Sequence, residues 1–138
     1  MIQDKELLLK DLCARLPYGV KISIPELWTS EKKIEVLNEI FKGDDCEFRC
    51  NDSGMLIKHV KPYLFPLSSM TKEQKSYING RWGVNEHFEF EIDPLWEEYF
   101  VNLSDAVGFI NWCYANHFDV NGLIPMGIAL DATGLNIY

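Results

Sequence analysis

The sequence predicts an α+β fold. An N-terminal helix leads into a small twisted antiparallel sheet. An extended proline-bearing segment then crosses to helices joined by one additional, acidic strand. Three observations carry this reading. Leu8, Leu9, Leu12, Cys13 and Leu16 recur at helical spacing ahead of Pro17. Val20, Ile22 and Ile24 alternate with Lys21 and Ser23, the period of a half-buried strand. Thr71 and Gln74 stand at the spacing of a capping box, so a helix opens where the prolines stop. At 138 residues the chain reads as one domain, with a β-rich part over about 1–70 and a more helical, acidic part over about 71–138.

The first helix spans residues 4–16, capped by Asp4 or Gln3 and stopped by Pro17, with Cys13 as a small core residue on its apolar face. Tyr18-Gly19 turns the chain into the first strand, which Pro25 ends. Residues 30–42 admit a helix capped by Ser30 or a strand beginning at Ile34 and Val36. The turn-forming run at 42–45 and the alternation of Cys46, Phe48 and Cys50 favour a hairpin. Residues 51–54 (Asn-Asp-Ser-Gly) form a second turn, and residues 55–60 a third edge.

Pro62 and Pro66 lie four apart in an apolar, aromatic stretch. Neither can donate to a ladder, and each disfavours helix in the residue before it. This segment is therefore expected to pair on one side at most and to lie across the body of the protein. The helix opened by Thr71 is expected to end at Gly80. Residues 86–93 then place Phe88, Phe90 and Ile92 on one face of a strand and His87, Glu89, Glu91 and Asp93 on the other. Asp93-Pro94 can start a helical turn carrying Trp96, Tyr99 and Phe100. The strongest helical pattern runs from Asn102 or Ser104 to His117, with a stripe of Leu103, Val107, Ile110, Tyr114 and His117. Phe109 and Trp112 stand off that stripe, which implies burial on more than one side. Residues 131–138 read as a tail. Most aromatic residues follow Tyr63, so the larger core is expected on the C-terminal side.

Net charge is −8, but its distribution says more. The first 81 residues carry all 13 Lys and Arg against 12 acids; the remaining 57 carry nine acids and no base. Such a half repels nucleic-acid phosphates and attracts basic partners. No apolar run approaches the roughly 20 residues of a membrane span. The first residues lack a signal-peptide pattern, so a cytoplasmic protein with free thiols is expected.

At the level of strings, the blocks at 5–21 (KELLLKDLCARLPYGVK), 60–71 (VKPYLFPLSSMT) and 116–124 (NHFDVNGLI) cover about a quarter to a third of the chain. In that order they resemble a group of small uncharacterised proteins from phages and prophages of anaerobic gut bacteria. The resemblance implies a mobile-element origin and action in the cytoplasm of the bacterial host. It supplies no activity. It implies short strands in the middle of the first half, which favours the hairpin over the helix for residues 34–50. The acidic strand and the tryptophan-rich stretch after it lie outside the resemblance.

Chemical constellations are weak. Cys46, Cys50, Cys113 and His117 form a zinc-compatible ligand set, but on a strand Cys46 and Cys50 would stand about 13 Å apart, too far for one ion with ~2.3 Å bonds. No metal or cofactor is expected. His117 and Asp119 follow the last helix and suit a structural helix-end pair. As a catalytic pair they would need a nucleophile such as Cys113, Ser68, Ser69 or Ser104, and no nucleophile-elbow spacing is present. The glycines make no phosphate-binding fingerprint, and the bases do not interleave with aromatics. The expectation is a non-enzymatic accessory protein that binds a host or phage protein through Glu86, Glu89, Glu91, Asp93, Glu97 and Glu98. It would bind no nucleic acid directly and no membrane. The alternative is a homo-oligomer that assembles through its two oppositely biased halves.

Overall fold

The structure is a computed structural model that describes residues 2–24, 33–90 and 103–138. It is an α+β fold. Helix α1 (Ile2–Arg15) runs into a 3₁₀ turn at Leu16–Tyr18. Pro17 sits within the first positions of that turn, so it reshapes the helix end rather than halting the chain. Leu8 and Leu12 are buried as their spacing requires. Cys13 is not: it is exposed, and the buried face of α1 carries Asp11 and Arg15 instead.

Strand β1 (Lys21–Ile24) buries Ile22 and Ile24 and pairs antiparallel with β2 (Lys33–Val36). Pro25 and Ser30 lie outside the described residues. The chain breaks at Leu37, and β3 (Ile40–Lys42) pairs with β4 (Phe48–Cys50), which pairs with β5 (Met55–Leu56). The predicted hairpin is present, with its turn one residue longer than expected. Cys46 belongs to that turn, left-handed at φ 64° and exposed, so it does not alternate with the buried Cys50. Residues 33–42 thus serve two sheets, of order β2-β1-β6-β7 and β3-β4-β5.

The proline segment departs from expectation. Strand β6 (Lys61–Leu64) lies inside the four-stranded sheet, antiparallel to β1 and parallel to β7 (Leu130–Asp131). It does so by dividing its length: Lys61 and Pro62 face β1, Tyr63 and Leu64 face β7. Leu37 donates to the carbonyl of Val20, so alternate residues of β1 from Val20 onward direct their backbone toward β2. Pro62, opposite Ile22, therefore occupies a position toward β1 that asks for no N–H. The ring is buried without a lost hydrogen bond on that side.

Thr71 caps α2 (Lys72–Trp82) through the expected reciprocal pair with Gln74, at 3.1 and 2.9 Å. The helix passes Gly80 and ends two residues later, at Trp82, capped by a left-handed Gly83 (φ 69°). The predicted acidic strand is absent from the described part of its span. Residues 86–89 form a turn, Phe88 is left-handed (φ 62°), and only Val84 and Phe90 bridge. Residues 91–100, including Ile92 and the predicted turn at Trp96, Tyr99 and Phe100, lie outside the described residues.

Helix α3 (Leu103–Ala115) buries Phe109 and Cys113, whereas Val107 and Ile110 of the predicted stripe are exposed. Its approach to α2 needs a glycine, since a Cβ on Gly108 would stand 2.5 Å from Nε1 of Trp82. Trp82, Trp112, Phe90 and Phe118 complete this second cluster. Among the described residues the larger apolar cluster is the other one, built from α1, β1 and the strands, with Leu37, Leu64 and Leu123 at its centre. The expectation of a larger core on the C-terminal side rested in part on Trp96, Tyr99 and Phe100, which lie outside the described residues. Among the described residues no helix is long and apolar enough to cross a membrane.

Candidate functional site

Two surfaces hold the residues singled out from sequence. The first is the turn after α2. Asn85 organises it: the side-chain oxygen accepts from the amides of His87 (2.9 Å) and Glu89 (3.1 Å), and its backbone N–H donates to the carbonyl of Glu89 (2.8 Å). Asn79 Nδ2 donates to the carbonyl of Val84 at 3.1 Å and ties the turn to α2. Phe88 and Phe90 pack against the second cluster as the alternation demands, but from a turn. Glu86, His87 and Glu89 are thereby thrown outward, all exposed. His87 Nε2 lies 3.6 Å from Glu86 Oε1, with both side chains three-quarters exposed or more, so solvent screens the pair. The turn shares a shallow depression of about 520 Å³ with Lys75, Ser76 and Asn79 of α2. A base thus borders the acids. Glu91, Asp93, Glu97 and Glu98 lie outside the described residues.

The second surface is the C-terminal end of α3. The His117 N–H donates to the carbonyl of Tyr114, and the Phe118 N–H to that of Cys113. This is the Schellman pattern, with His117 at the left-handed position (φ 64°) that glycine usually takes. Its ring stacks on Tyr138, centroids 3.7 Å apart and planes 14° apart. Burial, reinforced by the charges of Arg15 and Lys21, pushes the imidazole down to about 4. At neutral pH it is uncharged, so the helix end does not hold the imidazolium that the dipole alone favours.

Asp119 does not meet His117. Its backbone N–H donates to the Phe65 carbonyl, and its buried carboxylate accepts from the amides of Leu123 (2.8 Å) and Ile124 (2.9 Å). The two residues thus have separate partners and do not form the expected helix-end pair. Burial pushes the Cys113 thiol up to about 12 and Cys50 to about 11. Neither is a thiolate near neutrality. Cys50 and Cys113 also belong to different clusters, so the four-residue zinc set does not converge.

Sequence reasoning missed two features here. Arg15, wholly buried, donates to Asp11 from Nε (2.7 Å) and Nη2 (3.1 Å), and from Nη2 to the Phe118 carbonyl (2.7 Å). Asn121 joins the same carboxylate and the Tyr114 hydroxyl. The i, i+4 spacing of Asp11 and Arg15 was the available signal, but it reads equally well as a solvated pair. The other is Tyr138, which is docked rather than trailing. A cleft of about 390 Å³ opens beside it, lined by Phe65, Ser69, Gln74, Asn116 and His117, with no charged side chain. No family model matches the chain, and neither a curated protein nor a solved structure shows significant similarity to it.

Proposed function

We propose that the protein is a non-enzymatic accessory module of phage or prophage origin that acts in the cytoplasm of the bacterial host. It binds a basic surface of a host or phage protein through the acidic segment that begins at the 86–89 turn. The observation that carries this reading is the outward projection of Glu86 and Glu89 from a turn whose aromatic side chains are anchored in the core. A rigid base holding exposed carboxylates loses little entropy on binding. The 57 residues after Arg81 add no compensating base. Rim charges of this kind act mainly on association rate and its salt dependence.

The test is capture of partners from host cells by tagged protein at low and high salt. It is repeated with Glu86→Gln, Glu89→Gln, Glu91→Gln and Asp93→Asn combined. The salt-sensitive partner is expected to be lost from the variant. Equal retention by both proteins refutes the electrostatic reading.

A second reading, self-association, is favoured by one observation. Ile34 and Val36 of β2, the last strand of its sheet, are 42% and 46% exposed. Sedimentation across concentration and salt separates the two: a monomer throughout removes self-association.

A further inference from the structure

Tyr138 is held as a ligand is held. Its hydroxyl accepts from the Lys21 N–H at 2.8 Å and donates to the Tyr63 carbonyl at 2.7 Å. The β1–β6 register, carried one step past Ile22 and Pro62, sets Lys21 opposite Tyr63. The phenol oxygen therefore bridges a ladder position that the strands leave open as β6 turns to β7. The ring stacks on His117, and Phe65 lies tilted against it at 5.7 Å. The Lys21 ammonium stands 5.5 Å from the ring centroid and donates to the Ile137 carbonyl. Both ends of a para-substituted phenol, hydroxyl and ring, are matched.

The segment that delivers the ring is lightly attached. Between Ala132, which donates to the Leu64 carbonyl, and Ile137, whose carbonyl accepts from the Lys21 ammonium, the bonds of the strap are local, from Thr133 to Asp131 and from Leu135 to Ala132. Residues 133–136 are exposed, and Gly134 and Asn136 are left-handed. Segments with few buried contacts open at low free energy. The walls of the slot belong to β1, β6 and the end of α3, which are held by other contacts.

We infer that the space between Lys21, Tyr63, Phe65 and His117 is a binding slot for a tyrosine side chain. Tyr138 fills it in cis, and the tyrosyl side chain of a partner segment takes it when the strap lifts. Specificity comes from the hydroxyl: phenylalanine supplies the ring but leaves the Lys21 N–H and the Tyr63 carbonyl without a partner. The tethered Tyr138 competes at an effective concentration of order millimolar.

The experiment titrates N-acetyl-L-tyrosinamide into the full chain carrying Tyr138→Ala and follows the Lys21 backbone amide by NMR. The amide is expected to move back toward its wild-type position. The phenylalanine analogue should bind about tenfold more weakly or worse, and wild-type protein should need about tenfold more of the tyrosine compound, because its slot is filled. A folded Tyr138→Ala protein whose Lys21 amide ignores the compound overturns the inference, as does equal binding of both analogues. Should that variant not fold, Tyr138→Phe carries the test. The compound must displace its phenylalanine ring more readily than it displaces Tyr138, and equal behaviour overturns the slot.

Discussion

Arg15 on α1 donates to the backbone carbonyl of Phe118, 103 residues further along the chain, and does so from a site with no solvent exposure. The first helix is thus tied to the end of α3 by a charged group. The same guanidinium lies 4.9 Å from the centre of the Tyr114 ring. A buried ion with one partner removed is far more costly than the pair is favourable.

Arg15→Ala is therefore expected to lower the unfolding free energy by about 3–5 kcal/mol, because the Asp11 carboxylate stays buried without its counter-charge, held only by Asn121. Replacing both, as Asp11→Leu with Arg15→Met, should cost clearly less than the single change. Urea denaturation of the three proteins gives the comparison. A single-variant loss below about 1 kcal/mol would mean that the pair is solvated in solution.

Asn51 joins the two sheets. It is buried and left-handed (φ 58°). Its side chain accepts from the Asn38 amide and donates to the Val36 carbonyl and the Glu35 carboxylate, while its own N–H donates to the Glu39 carbonyl. Asn51→Ala should cost about 1–3 kcal/mol for the unsatisfied groups, plus about 1 kcal/mol of backbone strain. Asn51→Gly loses the same bonds without the strain, so it should unfold at a higher temperature than the alanine variant. Equal melting temperatures would show that the left-handed backbone contributes nothing.

His117 sets a pH dependence. Its folded value, about 4, lies below the ordinary 6.5, so the unfolded chain binds the proton more readily. Stability from this group is full above pH 6.5 and is lost as pH falls from 6.5 toward 4. The loss should be about 1–2 kcal/mol, discounted because the ring is partly exposed. His117→Asn tolerates the left-handed backbone and cannot titrate, so it should flatten the profile within that window. Chemical denaturation at pH 7 and pH 4.5 measures it; an unchanged slope assigns the proton elsewhere.

Local signals were readable where one rule decides. Thr71 and Gln74 marked a helix start because capping is set by four neighbouring residues. Val20, Ile22 and Ile24 marked β1 because one sheet face is buried. The misses share a cause. Phe88 and Phe90 alternate with charged residues like a strand, yet an Asn85-centred turn also sends both rings inward. Pro62 argued against an interior strand, but a strand that changes neighbours midway offers a position needing no N–H. Beyond the Asp11–Arg15 pair itself, Asp11, Arg15 and Tyr138 find their partners 75 to 117 residues away. No periodicity encodes such contacts. Of the acidic row, Glu89 faces water as expected, though from a turn and not a strand; Glu86, which strand alternation would set on the face of Phe88, is exposed as well.

The division of β6 between two neighbours bears on how the molecule is made. Pairing with β1 can be reached as soon as the first 64 residues have been synthesised. The parallel half must wait for β7, near the end of the chain. Loop closure over such distances slows folding. During that interval the β7 side of β6, with the Leu64 carbonyl that Ala132 later meets, is an open edge to the cell, and a nascent chain stalled before residue 130 should be the form most prone to aggregate.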